Sequence, residues 1–374
     1  MPGKDVDLVV IGAGLSGCAL VAALNNRGWS GTIQLLEAGR GPGGRCATRR
    51  RRDDLLWRLD HGSPVLSFHD EPCGELRRLM TSLEQRGVVR VDLDPVVGLD
   101  HHGEVVAPPD HPLLRGPRWR GIPTMASVAE TLLRNGGDAV DTCFGERIQG
   151  LSRVDESWVF PGGLRSARLV LSGTLLAHPR SLAMLGWSDV PLREAVPAGH
   201  DSVLDEALDW IAGLNASIRW NLMLEFPAVD PAPLPRQIWL TPRAQEQSGV
   251  ERLVLQRQQQ GHLGLVMHGL DDGALITPES QPQLLNVQEQ RLLTVLPDLL
   301  KPWPTLQRQL SSVHSLGVMR WGAAQPLEAG LPIALQWCRQ TQVGFCGDWI
   351  EGPGFGMAEG ALQSGLDLAE LIAA

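Results

Sequence analysis

The stretch Asp7-Leu8-Val9-Val10-Ile11-Gly12-Ala13-Gly14-Leu15-Ser16-Gly17 decides how this chain is read. Its first five residues form a short, mostly apolar run suited to a buried parallel strand. The run passes directly into G-x-G-x-x-G, and the Ala- and Leu-rich segment from Cys18 to Asn26 is compatible with a helix. Ile33-Gln34-Leu35-Leu36 reads as a second strand ending at Glu37, 20 residues after Gly17. Gly12 permits the tight turn, Gly14 lets the backbone approach a pyrophosphate, and Gly17 allows close helix–strand packing. The helix N-terminus turns N–H donors and the positive end of its dipole toward the phosphates. An acidic side chain at the end of the second strand accepts hydrogen bonds from ribose hydroxyls. This order of elements predicts dinucleotide binding. Gly12, Ala13, Gly14, Leu15, Ser16 and Gly17 would lie at the phosphates, with Glu37 and Ala38 at the ribose.

Composition narrows the class. The 374 residues suggest about two domains of roughly 100–200 residues each. Hydrophobic residues make up 43% and charged residues 20%, ordinary for a soluble enzyme and outside the range of disordered or fibrous chains. The net charge of −9 argues against a broad nucleic-acid or anionic-membrane surface. Only Lys4 and Lys301 are lysines, and there is no tyrosine. The cysteines Cys18, Cys46, Cys73, Cys143, Cys338 and Cys346 show no C-x-x-C spacing, which removes the dithiol-redox motif and most zinc frameworks. Scattered in this way they read as reduced, mostly buried thiols of a cytoplasmic protein. Leu8 to Leu24 is uncharged, but at 17 residues with three glycines and no basic flank it is expected to be soluble structure. His101-His102 and Asp110-His111 lie in a Pro/Gly-rich stretch, and no metal site is expected.

Arg40-Gly41-Pro42-Gly43-Gly44-Arg45-Cys46-Ala47-Thr48 resembles the R-x-G-G-R-x-x-T segment of flavin-dependent amine oxidases and their relatives. The resemblance implies that Gly44 brings backbone to the cofactor and that Arg45 neutralises pyrophosphate charge. Leu59-Asp60-His61-Gly62-Ser63 resembles the D-x-G turn near the isoalloxazine in that superfamily, which implies roles there for His61, Gly62 and Ser63. The run Arg49 to Arg52 beside Asp53 and Asp54 reads as a solvated loop. Near the other end, Gln342-Val343-Gly344-Phe345-Cys346-Gly347-Asp348-Trp349 looks like a buried strand ending in a Gly-Asp pair. Pro353-Gly354-Phe355-Gly356-Met357-Ala358 then leads into an apolar helix reaching Ile372. By the resemblance, Gly347 and Asp348 hold the ribityl chain. The backbone of Gly356, Met357 and Ala358 faces the flavin pyrimidine, where negative charge collects on reduction. The implied cofactor is FAD.

Trp119 to Met125, the following helical segment, a hairpin from Ala139 to about Phe160 and the strand Arg168–Ser172 are similar to the corresponding run of renalase and its bacterial relatives. Arg320-Trp321-Gly322-Ala323-Ala324-Gln325-Pro326 looks like a degraded form of their H-R-W-x-Y-A-x-P stretch, with Met319 in place of His and Ala323 in place of Tyr. Renalase-like enzymes take hydride from off-pathway dihydronicotinamide isomers and pass the electrons to oxygen, so the implied partner is a small molecule, an NAD(P)H-type nucleotide. No catalytic acid or base is required, because rearomatisation drives the transfer. Arg320, Trp321, Trp349 and Phe355 are the expected pocket residues. A flavin amine or isoprenoid oxidase and an FAD-containing binding protein without turnover are the alternatives. The lack of Tyr and the placement of Lys4 and Lys301 count against a conventional amine oxidase. His262 and His268 flank a sheet segment and read as structural, with His268 facing the flavin as the alternative.

The expected architecture is α/β (α+β): a Rossmann-like FAD-binding domain interleaved with a substrate domain on a mainly antiparallel sheet. Residues 1–67, 121–185 and 335–374 would form the first, and 68–120 and 186–334 the second. Strands are expected over Ser217–Phe226, Gln237–Thr241, Glu251–Gln256 and Gly264–His268, with a helix over 284–300.

Overall fold

The computed structural model describes residues 5–374 apart from 53, 55, 228, 230–232 and 275. The readings of Lys4 and Asp53 therefore lie outside the described residues. β1 (Asp5–Ile11), α1 (Leu15–Asn26) and β2 (Ile33–Glu37) open the fold as the glycine turn predicts. β3 (Arg58–Asp60), α2 (Gly74–Gln85) and α3 (Ala126–Asn135) follow, then β4 (Val140–Phe144), β5 (Ser152–Val154), β6 (Ser157–Val159) and β7 (Arg165–Leu171). After α4 (Ser202–Gly213) come β8 (Asn215–Phe226), β9 (Gln237–Leu240), β10 (Val250–Arg257) and β11 (Leu263–Leu270). α5 (Gln281–Leu299), β12 (His314–Leu327), β13 (Val343–Phe345) and α6 (Ala358–Ala373) complete the frame.

In one sheet the strands β4-β2-β1-β7-β13 are mutually parallel, and β6 and Trp337–Cys338 add antiparallel neighbours to β7 and β13. Parallel strands are covered on both faces, which is why the carboxyl halves of β1 (Leu8–Ile11) and β7 (Leu169–Leu171) read as continuous apolar runs. On one face α1, α2, α3 and α6 share a core that includes Leu8, Leu20, Met80, Leu132 and Leu366. On the other, α4 packs Leu204, Ala207 and Ile211 against Val9, Leu169 and Phe345. Every α1 residue from Leu15 to Leu24 is buried. Its lack of charge therefore comes from being enclosed, and among the described residues no helix is long and apolar enough to cross a membrane. A Cβ on Gly365 would come within 2.4 Å of the Ser16 carbonyl, so α6 crosses α1 at backbone contact.

The long hairpin expected from Ala139 to Phe160 is not formed. β4 instead pairs in parallel with β2, Val140 opposite Ile33 and Phe144 opposite Glu37, and only β5 and β6 make a hairpin. The two arms differ because the open edge of β2 takes up β4, a long-range choice that local patterning does not encode. The arginine run also departs from expectation. Thr48–Arg50 pairs with β3, Arg49 donates to the Leu316 carbonyl at 2.8 Å, Arg50 pairs with Glu130 and Arg51 with the buried Glu225. Its carboxylate partners stand far away in sequence, so the nearby aspartates were misleading.

The second sheet has the order β12-β8-β11-β10-β9, continued by Val96–Leu99 and Val105–Val106. It is antiparallel except between β9 and Val96–Leu99. Its outer face buries Trp220, Leu222, Leu224 and Met267 against Leu292 and Leu296 of α5. Its inner face looks back at the first sheet. The expected α/β class with a mainly antiparallel cover sheet is the one observed.

Glutamine side chains join the two layers. The Asp60 N–H donates to Gln256 Oε1 at 2.9 Å, and Gln256 Nε2 donates to the Asp60 carbonyl at 2.7 Å. Two residues along each strand, Gln258 repeats the exchange with Arg58 at 3.1 and 2.6 Å. Alternate side chains of a strand share a face, so the two amides extend β10 sideways as a ladder onto β3.

Candidate functional site

A cleft of about 360 Å³ lies between the carboxyl ends of β1 and β7 and the inner face of the second sheet. This is where open α/β sheets place their ligands. Gly12 holds φ +107°, and its carbonyl accepts from Ser172 Oγ at 2.9 Å. A Cβ on Gly17 would stand 2.3 Å from that carbonyl, so only glycine lets α1 start this close to the turn. Gly14 caps α1 without a side-chain hydrogen bond, and Gly14, Leu15 and Ser16 form one wall. The unspent N–H groups of this first turn suit an anion. Glu37 accepts from Ala13 N–H at 2.8 Å and from Gly39 N–H at 2.6 Å, which fixes its carboxylate beside the turn.

A second helix starts at the same cleft. The N-cap of α6 is Met357, again without a side-chain bond, and Gly356, Met357 and Ala358 are wall residues. Between the two helix starts, Arg45 grips the buried Asp348 with both guanidinium arms and donates to the Ala324 carbonyl at 3.1 Å. Gly62 abuts the Arg45 carbonyl so tightly that a Cβ would lie 1.9 Å from it. Burial pushes the Cys46 thiol up to about 12 despite the neighbouring Arg45 charge, so it is an uncharged wall residue. Two helix N-termini, a guanidinium and a carboxylate fixed beside the glycine turn fit a dinucleotide cofactor.

The second sheet supplies the roof. Ser217, Arg219 and Asn221 come from β8, Glu251 and Arg252 from β10, His268 from β11, and Trp321, Ala324 and Gln325 from β12. Trp321 stacks on His61 at 5.6 Å between ring centroids, and its indole N–H donates to the His61 carbonyl at 3.3 Å. Burial, aided by the Arg49 charge, lowers the His61 pKa to about 4. Burial likewise holds His268 well below the ordinary histidine range, so both rings are neutral at pH 7.

Most of the residues singled out in the sequence meet here: Gly12, Gly14, Leu15, Ser16, Glu37, Ala38, Gly44, Arg45, Gly62, Ser63, Asp348, Gly356, Met357, Ala358 and Trp321 line the cleft. Ala13, Gly17, His61 and Gly347 do not line it, although each is a chain neighbour of a residue that does. Three of the expected pocket residues do not line it. Arg320 points to the opposite face of β12, its guanidinium 5.4 Å from the Trp220 ring, because neighbours on a strand face opposite ways. Trp349 is buried against Phe345 in the α4-side core, and Phe355 lies outside the walls. Lys301 is remote and pairs with Asp298 at 2.7 Å.

Arg219, Asn221, Glu251 and Arg252 were not anticipated, and His268 was read as structural. The signal for the β8 pair was present: Ser217, Arg219 and Asn221 alternate with apolar Trp220 and Leu222, the pattern of a strand with one polar face. Glu251 and Arg252 both reach the cleft where the ladder slips between Val250 and Arg252. An irregularity of this kind re-aims side chains, and its position is invisible in sequence.

Residues 10–83 match the family described as the NAD(P)-binding Rossmann-like domain. No curated protein matches the chain significantly. Solved structures similar to it include a provisionally named protoporphyrinogen oxidase from Exiguobacterium sp. 255-15, with TM-score 0.64 and 13% identity over 100% of this chain and 99% of that one. Cyclohexylamine oxidase from Brevibacterium oxydans IH-35A matches with TM-score 0.64 and 15% identity over 99% of both chains. Putrescine oxidase bound to putrescine matches with TM-score 0.61 and 13% identity over 100% of both. The chain shares the fold of these oxidases along its whole length.

Proposed function

We propose that this protein is an FAD-dependent oxidoreductase that takes hydride from a small reduced substrate. The observation that carries the reading is the convergence on one cleft of the glycine turn, Glu37, Arg45, Asp348 and the N-termini of α1 and α6. The starts of two helices suit the two places where a flavin dinucleotide carries negative charge, its pyrophosphate and its reduced pyrimidine. In this reading Glu37 and Ala38 hold the adenosine ribose, and Gly12 to Gly17 with Gly44 and Arg45 hold the pyrophosphate. Gly347, Asp348, His61, Gly62, Ser63 and the α6 start hold the flavin half. The corresponding division assigns 1–67, 121–185 and 335–374 to the cofactor domain and 68–120 and 186–334 to the substrate domain.

FAD, when bound, supplies the hydride acceptor. The chain's part is to orient the substrate under the second sheet, keep water out and leave the neutral His61 and His268 as hydrogen-bonding groups. No protein base is assigned. The renalase-like version of the proposal takes dihydronicotinamide isomers as donors and oxygen as acceptor. An amine donor is the second reading, favoured by the fold shared with the putrescine and cyclohexylamine oxidases.

The purified protein should be yellow, and anaerobic absorbance titration tests the rest. Bleaching by aged NADH and NADPH, which contain the isomers, and not by fresh preparations is expected for the renalase-like version, with air restoring colour and releasing peroxide. Bleaching by amines alone would replace it with the amine reading. A colourless protein that binds no added FAD would refute the cofactor assignment.

A further inference from the structure

The roof of the cleft carries an unbalanced charge. Arg219 and Glu251 form an ion pair at 2.6 Å. Arg252 lies beside them, only 8% exposed, with its guanidinium stacked 4.6 Å from the Trp239 ring centroid and its Nε 3.7 Å from Glu251, beyond hydrogen-bond range. Among the described residues no group accepts a hydrogen bond from this guanidinium, and its Nε is buried without a partner. A guanidinium stays charged at any physiological pH and offers five N–H donors in a planar fork. Burying one with its donors unspent is costly unless a ligand completes the site.

The neighbouring polar atoms are unsatisfied in the same way. Asn221 stands opposite His268, and His268 opposite Arg252, across three adjacent strands. Asn221 Oδ1 and His268 Nε2 are both buried without partners, although Asn221 Nδ2 donates to the His61 carbonyl at 2.7 Å. Two guanidinium groups share one carboxylate here, and the neutral His268 does not alter the sum.

We infer that the substrate carries an oxyanion, a carboxylate or phosphate group, received by the Arg252 guanidinium at the roof of the cleft. The inference rests on the flavin reading for what the pocket does with its ligand. Arg252 supplies the fork, Arg219 supplies supporting charge while held by Glu251, and Asn221 and His268 take the ligand's remaining polar atoms. The surplus positive charge disfavours a substrate whose only charge is an ammonium.

The flavin-loaded protein is to be titrated with benzoate, phenyl phosphate and the neutral benzamide, binding being read from the flavin absorbance and from the melting temperature. At least one anion is expected to bind about tenfold or more tightly than benzamide, the effect of a charge-assisted hydrogen-bonded pair. Arg252→Met should abolish that preference, and Arg252→Lys, which keeps the charge without the fork, should retain part of it. If Arg252→Met does not fold, Arg252→Lys carries the comparison. Preference for benzoate assigns a carboxylate substrate, and preference for phenyl phosphate assigns a phosphate such as a dinucleotide bears. Equal binding of all three probes, an anion preference that survives in Arg252→Met, or an undiminished preference in Arg252→Lys overturns the inference. A protein that takes up no flavin yet melts higher with an anion, in an Arg252-dependent way, would refute the flavin reading and leave this one standing.

Discussion

Single residues around the cleft are held in states their side chains would not adopt in water. His61 is the clearest case, because burial under Trp321 keeps its ring neutral down to about pH 4. In the unfolded chain it titrates near 6.5. Between those values the unfolded chain binds a proton that the folded chain refuses, so stability rises with pH through this window. The His61 contribution is complete above about pH 6.5 and lost as pH falls toward 4, a span worth roughly 3 kcal/mol at most. Thermal melts from pH 7 to 4.5 should show a steep fall for the wild type and a shallower one for His61→Gln. Equal slopes would show that His61 is not the titrating group. The glycines of the turn were legible at this scale because Gly12 and Gly17 answer local demands, a positive φ and a close backbone approach. Arg252 was not, because nothing in Val250-Glu251-Arg252 reveals that an indole will lie on one side of the guanidinium and a cleft on the other.

Elements were legible wherever a period or a cap marks them. α1, β2, α6 and four strands of the second sheet, β8 to β11, follow from apolar runs, alternation and glycine punctuation, whereas β12 and the edge strands Val96–Leu99 and Val105–Val106 carry no such mark. What failed was partner choice: β4 reads like a hairpin arm and is a parallel edge strand. The crossing of α1 and α6 illustrates how elements set the site, since both helix starts face the cleft only while the two axes stay close. Gly365→Val should force them apart, because even the first carbon of a side chain meets the Ser16 carbonyl. A loss of about 1–3 kcal/mol is expected from such overpacking, measured as a lower denaturation midpoint, together with weaker flavin retention. Unchanged retention would mean that the crossing does not govern the cleft.

At the scale of the whole molecule, the two sheets act together through a narrow set of polar contacts beside the cleft. Gln256 and Gln258 satisfy four backbone groups of β3, and orphaning a buried backbone group costs about 1–3 kcal/mol. Changing both glutamines to leucine should lower the melting temperature and separate the unfolding of the layers into two transitions, followed by near-ultraviolet circular dichroism and flavin fluorescence. A single sharp transition at lower temperature would show that apolar packing alone couples them. The sequence by itself determined the dinucleotide half of this protein, because a phosphate-binding turn is built from consecutive residues whose backbone needs are written in their types. It also determined that a mainly antiparallel sheet would cover the cleft, because alternation is a local property of each strand. Only the tertiary structure decided which side chains line the roof of the cleft. Arg219, Asn221, Glu251, Arg252, His268 and Trp321 come from four strands. Their shared position depends on register, on a slip in one ladder and on the docking of one sheet over the other, none of which a single strand records.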